Sequence, residues 1–254
     1  MSDIVIETTG KVAVITLDRP PVNALTIAAY GQIADTFEAI GGRDDVHCAI
    51  FTAQGRRAFC AGLDLREFLA ATPEQDPERA AIVRRTFSAV LHCAIPVIAA
   101  VNGPALGAGC VLASVCDIRL AAPNATFGLP EINVGRCGGA AHMGRHIPQG
   151  LLRRMFFTGK PIGAEEARRH GFVDDIVSAE ELLPAALRLA EVIAEKAPLG
   201  LRLGKKALNE IEFMPVDDGY RHEQQYSTQL MHTEDAREAT RATLEKRAPS
   251  FKGR

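Results

Sequence analysis

A glutamate in an apolar setting is the first residue whose type and position suggest chemistry. Glu131 lies in the segment FGLPEINVG (127–135), directly after Pro130. Apolar surroundings raise the pKa of a carboxyl group, and a raised pKa suits a general acid or base that moves protons near neutral pH. The competing interpretation is a solvated glutamate at the end of a strand.

The loop FCAGLDLRE (59–67) could bind an anion through its main chain. It follows a predicted buried strand and leads into a helix that begins at Asp64. The N–H groups of Gly62 and Leu63 would be free at this turn, and free N–H groups ahead of a helix attract negative charge. An ordinary left-handed turn with Asp64 as the N-cap of the helix would explain the same residues without a ligand.

A second loop, VNGPALGAGC (101–110), repeats this arrangement. It also follows a predicted strand, and Gly107, Ala108 and Gly109 open the next predicted helix. Small residues let a ligand or another backbone come close, and the N-terminus of a helix is the positive end of its dipole. Close packing between helices is the alternative. Two such loops favour an anion site more than either loop alone.

The cysteines and histidines form no recognisable metal site or nucleophile. None of the six cysteines belongs to a C-x-x-C pair, which argues against a metal cluster or disulfide framework and for a reducing compartment. Cys60 and Cys110 have no histidine beside them, so we interpret them as small buried residues. His142 and His146 have the i, i+4 spacing of a helical metal pair, but no third ligand lies nearby, and we predict no metal.

Alternating strands and helices must position these loops. The apolar patterns and the glycines and prolines that end them predict the following order. The predicted elements are a hairpin (4–17), a helix (26–42), a strand (47–55), a helix (74–91), a strand (96–103), a helix (107–115) and a strand (116–122). Such alternation indicates βαβ units and a largely parallel sheet. After about Gly139 the predicted elements are helical.

Composition narrows the class of protein. The 254 residues are 47% hydrophobic and 24% charged, with a formal net charge of -2, so one large globular domain fits and nucleic acid is not expected as a partner. The pair Lys205 and Lys206 is too small for a basic face. The chain begins without the pattern of a signal peptide, and prolines interrupt the longest apolar tract (93–116). We therefore expect a soluble, cytoplasmic protein without a membrane span.

The chemical segments, in this order and spacing, resemble the crotonase (enoyl-CoA hydratase/isomerase) superfamily. RPPVNALT (19–26) is similar to an early loop of the family, CDIRLAAPNATFGLPEINVG (116–135) to its glutamate-bearing strand and loop, and AEEARRHGFVDDIV (164–177) to a later helix, turn and strand. The resemblance implies an α/β fold of the ClpP/crotonase type, with repeated ββα units over residues 1–195 and a helical C-terminal trimerisation segment over 196–254. It also implies self-association as a trimer or a dimer of trimers.

The same resemblance implies chemistry on an acyl-CoA thioester. The N–H groups of Leu63 and Ala108 would stabilise an enolate on the thioester oxygen, and Glu131 would be the general acid/base. Loss of one such donor typically costs on the order of a hundredfold in rate or more. Coenzyme A would enter as part of the substrate, with no other cofactor. The residues implied to contact the substrate are Val22, Ala24, Cys60, Gly62, Leu63, Asp64, Leu65, Gly107, Ala108 and Val111.

One position departs from the family's two-carboxylate hydratases. The resemblance places their second carboxylate in the first turns of the helix after the second loop, where this chain has Val111. A single glutamate fits hydration, which family frequency favours, and it also fits Δ3,Δ2-enoyl-CoA isomerisation, in which one base carries a proton from C2 to C4. A hydrolase, a decarboxylase and, from another class, a non-catalytic RNA-binding relative are further alternatives.

Four further residues could reach such a pocket. Arg136 and Cys137 follow the loop that bears the glutamate, and Tyr220 and Tyr226 fall in a predicted C-terminal helix. Arg136 could polarise a substrate group, although a solvated or salt-bridged arginine is the simpler interpretation. For the two tyrosines we expect a packing role.

Overall fold

The computed structural model describes residues 2–254, in which strands and helices alternate up to about residue 128 and helices dominate thereafter. The strands are β1 (Ile4–Thr9), β2 (Val12–Leu17), β3 (Cys48–Ala53), β4 (Val97–Val101), β5 (Ala105–Leu106), β6 (Ile118–Ala121), β7 (Thr126–Gly128), β8 (Ile162–Gly163) and β9 (Asp175–Ile176). The α-helices are α1 (Ile27–Gly41), α2 (Leu65–Ala70), α3 (Asp76–Leu91), α4 (Ala108–Ser114), α5 (Ala140–Met143), α6 (Gln149–Thr158), α7 (Ala164–Arg169), α8 (Leu182–Ala194), α9 (Pro198–Ile211), α10 (Val216–Met231) and α11 (Glu234–Glu245). Short 3-10 helices cover Pro73–Gln75 and Pro130–Val134.

The chain opens with an antiparallel hairpin, as the sequence predicted. β1 pairs with β2 from Ile4 opposite Leu17 to Thr9 opposite Val12, and Gly10 makes the turn with a φ of 57°. Glycine adopts such a positive φ without the steric cost that a Cβ atom imposes. The order strand, strand, helix occurs here as β1–β2–α1 and again as β4–β5–α4.

The main sheet has six strands in the order β1-β2-β3-β4-β6-β9 and is parallel except at the hairpin. β3 and β4 are buried at every position, as expected for strands covered by helices on both faces. Neighbouring residues point to opposite faces. Phe51 belongs to a core that includes buried residues of α1 and α3, whereas Ile50 and Ile98 belong to one that includes α8.

A second sheet of three short strands carries the segment that leads to Glu131. β5 pairs in parallel with β7, and β7 pairs antiparallel with β8. The element predictions from the sequence did not include this sheet, because strands of two or three residues are too short to show a hydrophobic period. β7 ends at Gly128, so that the 3-10 helix with the glutamate starts close to β5.

The C-terminal helices attach to this core through specific anchors. The ammonium group of Lys205, on α9, donates to the carbonyl oxygen of Ile95 (3.0 Å) and to Oδ2 of Asp117 (2.7 Å). The predicted division between residues 195 and 196 stays a prediction; α9 begins at Pro198, just beyond it. None of the helices in the described part of the chain combines the length and apolar character needed to cross a membrane.

Candidate active site

A cleft of about 1130 Å³ is lined by the loops that follow β3 and β4. In open α/β sheets, ligands bind beyond the carboxyl ends of the strands, so this is the expected place for a site. Nearly all of the residues predicted from the sequence line it. They are Val22, Ala24, Gly62, Leu63, Asp64, Leu65, Gly107, Ala108, Val111 and Glu131.

Main-chain hydrogen bonds fix the first glycine loop and leave one donor unused. The amide of Ala61 donates to the carbonyl of Val22 (3.0 Å), and the amide of Asp64 donates to the carbonyl of Leu25 (2.9 Å). Between them, the amide of Leu63 donates to no group within residues 2–254. Because protein N–H groups away from water are almost always paired, an unpaired amide in the wall of a cleft is available to a ligand.

The second glycine loop leaves a donor in the same way. The amide of Gly107 donates to the carbonyl of Gly128 (2.9 Å), and Val111 donates back to the carbonyl of Gly107 (3.0 Å) to form the first turn of α4. The amide of Ala108, the first residue of that helix, has no acceptor among the described residues. The first amides of any helix lack an intrahelical partner. Ala108 therefore presents a free donor in the wall of the cleft.

Two glycines bring these loops into direct contact. A Cβ atom on Gly62 would lie 2.8 Å from the carbonyl oxygen of Leu106 and 3.6 Å from the amide nitrogen of Ala108. A Cβ atom on Gly109 would lie only 2.2 Å from the carbonyl oxygen of Cys60. Gly109 thus serves close packing, while the free amides of Leu63 and Ala108 share one part of the cleft wall.

Asp64 is the N-cap of α2, so this interpretation of the first loop is confirmed. Its Oδ1 accepts hydrogen bonds from the amides of Arg66 (3.0 Å) and Glu67 (3.2 Å). The hydrogen bond from Glu67, with further help from Arg66 and Arg19, lowers the pKa of Asp64. The loop therefore holds a helix cap and a free amide side by side.

Glu131 places a carboxylate next to the second glycine loop. It is half-buried in the 3-10 helix, and its Oε2 is buried without a hydrogen-bond partner in the described structure. Burial raises its pKa. A Cβ atom on Gly107 would lie 3.0 Å from Oε1 of the glutamate, so the carboxylate lies against the residue that precedes the free amide of Ala108. An unpaired carboxylate of raised pKa can move protons here.

Val111 gives the adjoining wall of the cleft an apolar surface. Its side chain is 2% exposed, and a Cβ atom on Gly139 would lie 2.8 Å from its Cγ2. Val111 cannot transfer a proton, so no second carboxylate stands at this position on α4.

Buried polar atoms without a partner concentrate in this cleft. Among residues 2–254, four buried side-chain atoms lack a hydrogen bond, and three of them belong to residues that line the cleft. These are Nη2 of Arg79, Oε2 of Glu131 and Nδ1 of His142. Arg79 was not among the residues predicted from the sequence, and His142 was considered only as a possible metal ligand. The sequence indicated only that Arg79 lies in an amphipathic helix, which does not show that its side chain reaches the cleft.

The two histidines of HMGRH do not face each other. α5 ends at Met143, so His142 lies in the helix and His146 lies beyond it. His142 packs edge-on against Phe87, whereas Nε2 of His146 bonds to the carbonyl oxygen of Ser114 (2.8 Å). Within the described residues, no group of three or more His, Cys, Asp or Glu side chains is arranged to hold a metal ion.

Cys60 is the one expected contact residue that does not line the cleft. It is fully buried beneath the loop, where its carbonyl oxygen accepts the amide of Leu106 (2.9 Å). Burial raises the pKa of the Cys60 thiol to about 12, and it does the same for Cys110. Both cysteines are therefore thiols at neutral pH, in agreement with a packing role.

The remaining candidates lie at the rim of the cleft or outside it. Arg136 pairs with Asp76 (3.0 Å) and stacks over Phe68, and the exposed Cys137 lies beside it in the lining. Neither Tyr220 nor Tyr226 lines the cleft. The hydroxyl of Tyr226 instead donates to Glu210 on α9 (2.6 Å).

Asn23 is a positioning residue that the sequence analysis missed. It is buried with a φ of 53°, and its Nδ2 donates to the carbonyl oxygens of Gln54 (3.1 Å) and Ala58 (2.9 Å). Asparagine tolerates positive φ better than most residues, which was a usable signal in RPPVNALT. These bonds hold the early loop against the segment that precedes the first glycine loop.

Comparison with known families settles which fold this is. The family model described as "Enoyl-CoA hydratase/isomerase" matches residues 7–254. The chain belongs to the enoyl-CoA hydratase/isomerase family. The predicted family and its α/β crotonase fold are thereby confirmed, and the protein is an enzyme of that family.

Individual relatives of the enoyl-CoA hydratase/isomerase family extend over nearly the whole chain. A 2,3-dehydroadipyl-CoA hydratase of Escherichia coli is 37% identical, with 100% of both chains covered. A (7aS)-7a-methyl-1,5-dioxo-2,3,5,6,7,7a-hexahydro-1H-indene-carboxyl-CoA hydrolase of Mycobacterium tuberculosis is 42% identical over 87% of this chain and 89% of its own. The crystal structure of an enoyl-CoA hydratase from Bacillus anthracis superposes with a TM-score of 0.95 at 33% identity, covering 99% of this chain and 100% of that one.

Proposed function

We propose that this enzyme adds water across the double bond of a 2-enoyl-CoA, with Glu131 as its single general acid/base. The observation that carries the proposal is the unpartnered Oε2 of Glu131, next to the loop that supplies the free amide of Ala108. The amide of Leu63 completes the pair of donors for the thioester oxygen. The hydratase relative from Escherichia coli supports the same reaction class.

A single carboxylate can perform both proton transfers of hydration. The ionised Glu131 takes a proton from water while the water oxygen bonds to C3 of the substrate. The electrons of the double bond move to the thioester oxygen, where the two amides stabilise the negative charge. As the thioester re-forms, C2 takes the proton from the Glu131 carboxyl group, which restores the carboxylate. One water is consumed, and no cofactor takes part.

The charges at the cleft suit the remainder of coenzyme A. Arg66 and Arg84 belong to the lining and supply positive charge for phosphate groups. Arg19 also lines the cleft, but two carboxylates already pair with its guanidinium group. Val22 and Ala24, which the resemblance implied as contacts of coenzyme A, also belong to the lining. Coenzyme A then enters as part of the substrate.

We also propose self-association and a reducing compartment for this protein. Phe213, Val216 and Met231, in the region of α9 and α10, are 79%, 85% and 71% exposed, which supports burial in a trimer or a dimer of trimers. The mass in solution, from light scattering, tests this. All six cysteines are free, which supports the predicted cytoplasmic location.

A second candidate function is hydrolysis of a ring that carries a ketone β to the thioester. Two observations favour it: Val111 replaces a carboxylate, and the relative from Mycobacterium tuberculosis is named as a hydrolase. Water activated by Glu131 would attack the ring ketone, and the C–C bond would break with its electrons passing to the thioester oxygen. Glu131 would then protonate C2. The same two amides would stabilise the same enolate.

The deciding experiment follows the ultraviolet absorbance of the conjugated thioester. Panels of 2-enoyl-CoAs, 3-enoyl-CoAs and alicyclic β-keto acyl-CoAs are offered to the wild type, to Glu131→Gln and to a control, Glu165→Gln, on the exposed side of α7. We expect conjugation of 2-enoyl-CoAs to be lost, and Glu131→Gln to slow this on the order of a hundredfold or more. The control should match the wild type.

Three other outcomes would contradict the proposal, and two of them would identify a different reaction. Gain of conjugation from 3-enoyl-CoAs without hydration would identify an isomerase. Ring opening of the β-keto substrates alone, seen by mass spectrometry, would identify the hydrolase. An unchanged rate for Glu131→Gln would remove Glu131 from the mechanism.

A further inference from the structure

Three rings from different parts of the chain meet in the cleft wall. The ring of Phe87, on α3, is contacted edge-on by Tyr30 of α1 at a centroid distance of 6.1 Å and by His142 of α5 at 5.4 Å. All three residues line the cleft. Phe87 therefore holds two aromatic groups with polar tips in fixed positions around itself. We call these three residues the aromatic cluster.

Both polar tips of the aromatic cluster lack a partner in the protein. Nδ1 of His142 is buried without a hydrogen bond in residues 2–254. Tyr30 is only 2% exposed. Its hydroxyl bonds to no described residue, but its oxygen is not among the fully buried unpaired atoms, so it keeps access to the cleft that it lines. Buried Tyr and His side chains normally find a hydrogen-bond partner. Two unsatisfied tips in one cleft therefore indicate a partner that the ligand supplies.

The protonation states favour an uncharged partner. Burial, with smaller contributions from Cys60, Glu131 and Glu67, raises the pKa of Tyr30. Burial and the charge of Arg145 lower the pKa of His142. Both groups are therefore neutral near pH 7, and neutral donors and acceptors match a ketone or hydroxyl better than a carboxylate.

The aromatic cluster adjoins the reacting end of the cleft. A Cβ atom on Gly138 would lie 3.9 Å from Oε1 of Glu131, and one on Gly139 would lie 2.8 Å from Val111. α5, which carries His142, begins directly after this pair of glycines. A substrate group that reaches the aromatic cluster would thus belong to the acyl portion.

We propose that Tyr30 and His142 recognise a ketone or hydroxyl oxygen on an alicyclic acyl group, and that this enzyme prefers such oxygenated acyl-CoAs over plain hydrocarbon ones. The proposal rests on the proposed function, because it assumes that the acyl-CoA binds in this cleft. Tyr30 donates its hydroxyl proton, and His142 donates or accepts at Nδ1 according to its tautomer. Val111 and Phe87 supply apolar contacts for the carbon ring.

Calorimetric binding measurements test this without turnover. In a Glu131→Gln background, cyclohexene-carboxyl-CoA is compared with its ring-ketone counterpart, which differs by one oxygen. We expect the ketone to bind on the order of tenfold more tightly. Adding Tyr30→Phe or His142→Leu should each remove a severalfold part of this advantage, measured as the ratio of the affinities for the ketone and the plain ring. His142→Gln should restore part of it, because its amide can again hydrogen-bond.

Controls separate this inference from the proposed function. Tyr226→Phe removes a tyrosine hydroxyl outside the cleft and should change neither affinity. The affinity for the plain ring reports that each variant is folded. Equal affinities for the two ligands before any substitution, or an advantage that survives both substitutions, would overturn the proposal. If the wild type hydrates none of the 2-enoyl-CoAs but the ketone still binds more tightly than the plain ring, the proposed hydration is wrong and the proposed recognition by Tyr30 and His142 stands.

Discussion

Gly107 and Glu131 face each other so closely that a Cβ atom at residue 107 would lie 3.0 Å from Oε1 of the glutamate. The φ of Gly107 is 53°, and its amide is held by the carbonyl of Gly128. The absence of a side chain therefore serves two purposes, the turn into α4 and the room for a carboxylate. In the proposed mechanism, the base Glu131 and the oxyanion donor Ala108 therefore both depend on Gly107.

We predict that Gly107→Ala lowers activity far more than its loss of stability explains. The new methyl group pushes the carboxylate of Glu131 away, and we expect kcat/KM to fall on the order of a hundredfold. The sparsely populated backbone conformation of residue 107 (φ 53°, ψ -120°) should cost about 1–3 kcal/mol of unfolding free energy once a Cβ atom is present. Gly10→Ala is the matched control, because Gly10 has a φ of 57° and nothing within 4 Å of its Cβ position. If both variants keep equal activity, the close contact has no catalytic role.

Gly109 makes a different prediction, because its contact is with backbone. A Cβ atom there would lie 2.2 Å from the carbonyl oxygen of Cys60, which cannot move without displacing the loop. We expect Gly109→Ala to lower the free energy of unfolding by about 3 kcal/mol in urea titrations. Gly204→Ala, in α9 with nothing within 4 Å, should instead raise it by about 0.5–1 kcal/mol. A tolerated Gly109→Ala would contradict the close packing of the two loops.

Sequence patterns predicted the parts of this fold that are long and periodic. The helix expected over 26–42 is Ile27–Gly41 with Thr26 as its N-cap, and the helix expected from residue 74 begins at Asp76 after a 3-10 turn. The short strands of the second sheet were missed, because two or three residues cannot display a period. Local signals therefore succeeded where an element is long enough to repeat its pattern.

For the candidate site, too, local sequence patterns predicted only the residues whose roles depend on their neighbours in the sequence. The sequence pointed to Leu63, Ala108 and Glu131 because glycine-rich turns and an apolar glutamate are local features. Tyr30 and His142 come together only through Phe87, and no local pattern joins three residues from three helices. Long-range contacts of this kind set the shape of the cleft, so the acyl group of the proposed substrate could not be predicted from the sequence.

The raised pKa of Glu131 predicts the pH dependence of the reaction. In the proposed hydration the ionised carboxylate deprotonates water, so we expect kcat/KM to fall as pH drops below the pKa of Glu131 in the free enzyme. Because burial raises that pKa, the acidic limb should lie above the ordinary value of 4.5. The position of this limb is measured from steady-state rates between about pH 4 and 8, in steps of roughly half a pH unit. Circular dichroism confirms that the protein is folded at each pH. A limb at or below the ordinary value would contradict burial of an active base.

Stability should show the converse effect of the same carboxyl group. A raised pKa in the folded state means that folding favours the protonated form of Glu131. The free energy of unfolding therefore falls as pH rises above 4.5, the pKa of the carboxyl group in the unfolded chain, until it passes the higher pKa of the folded state. We therefore expect Glu131→Gln to be more stable than the wild type at pH 7, although it is inactive. The gain should vanish at acidic pH, where the carboxyl group is protonated in both states. Urea titrations at both pH values give the two differences, and a loss of stability at pH 7 would be the contrary result.

The buried ammonium group of Lys205 predicts a purely structural effect. It is held by the carbonyl of Ile95 and by Asp117, whose Oδ2 also accepts the amide of Val97 (2.7 Å). Lys205→Met leaves that carboxylate without its counter-charge, and we expect a loss of about 2–3 kcal/mol in unfolding free energy, because Asp117 is partly solvated. The neighbouring Lys206 is exposed, and Lys206→Met should stay within about 0.5 kcal/mol of the wild type. For both variants, kcat/KM per folded molecule should remain unchanged, since neither lysine lines the cleft; a selective loss of activity in Lys205→Met would show that α9 also positions the active site.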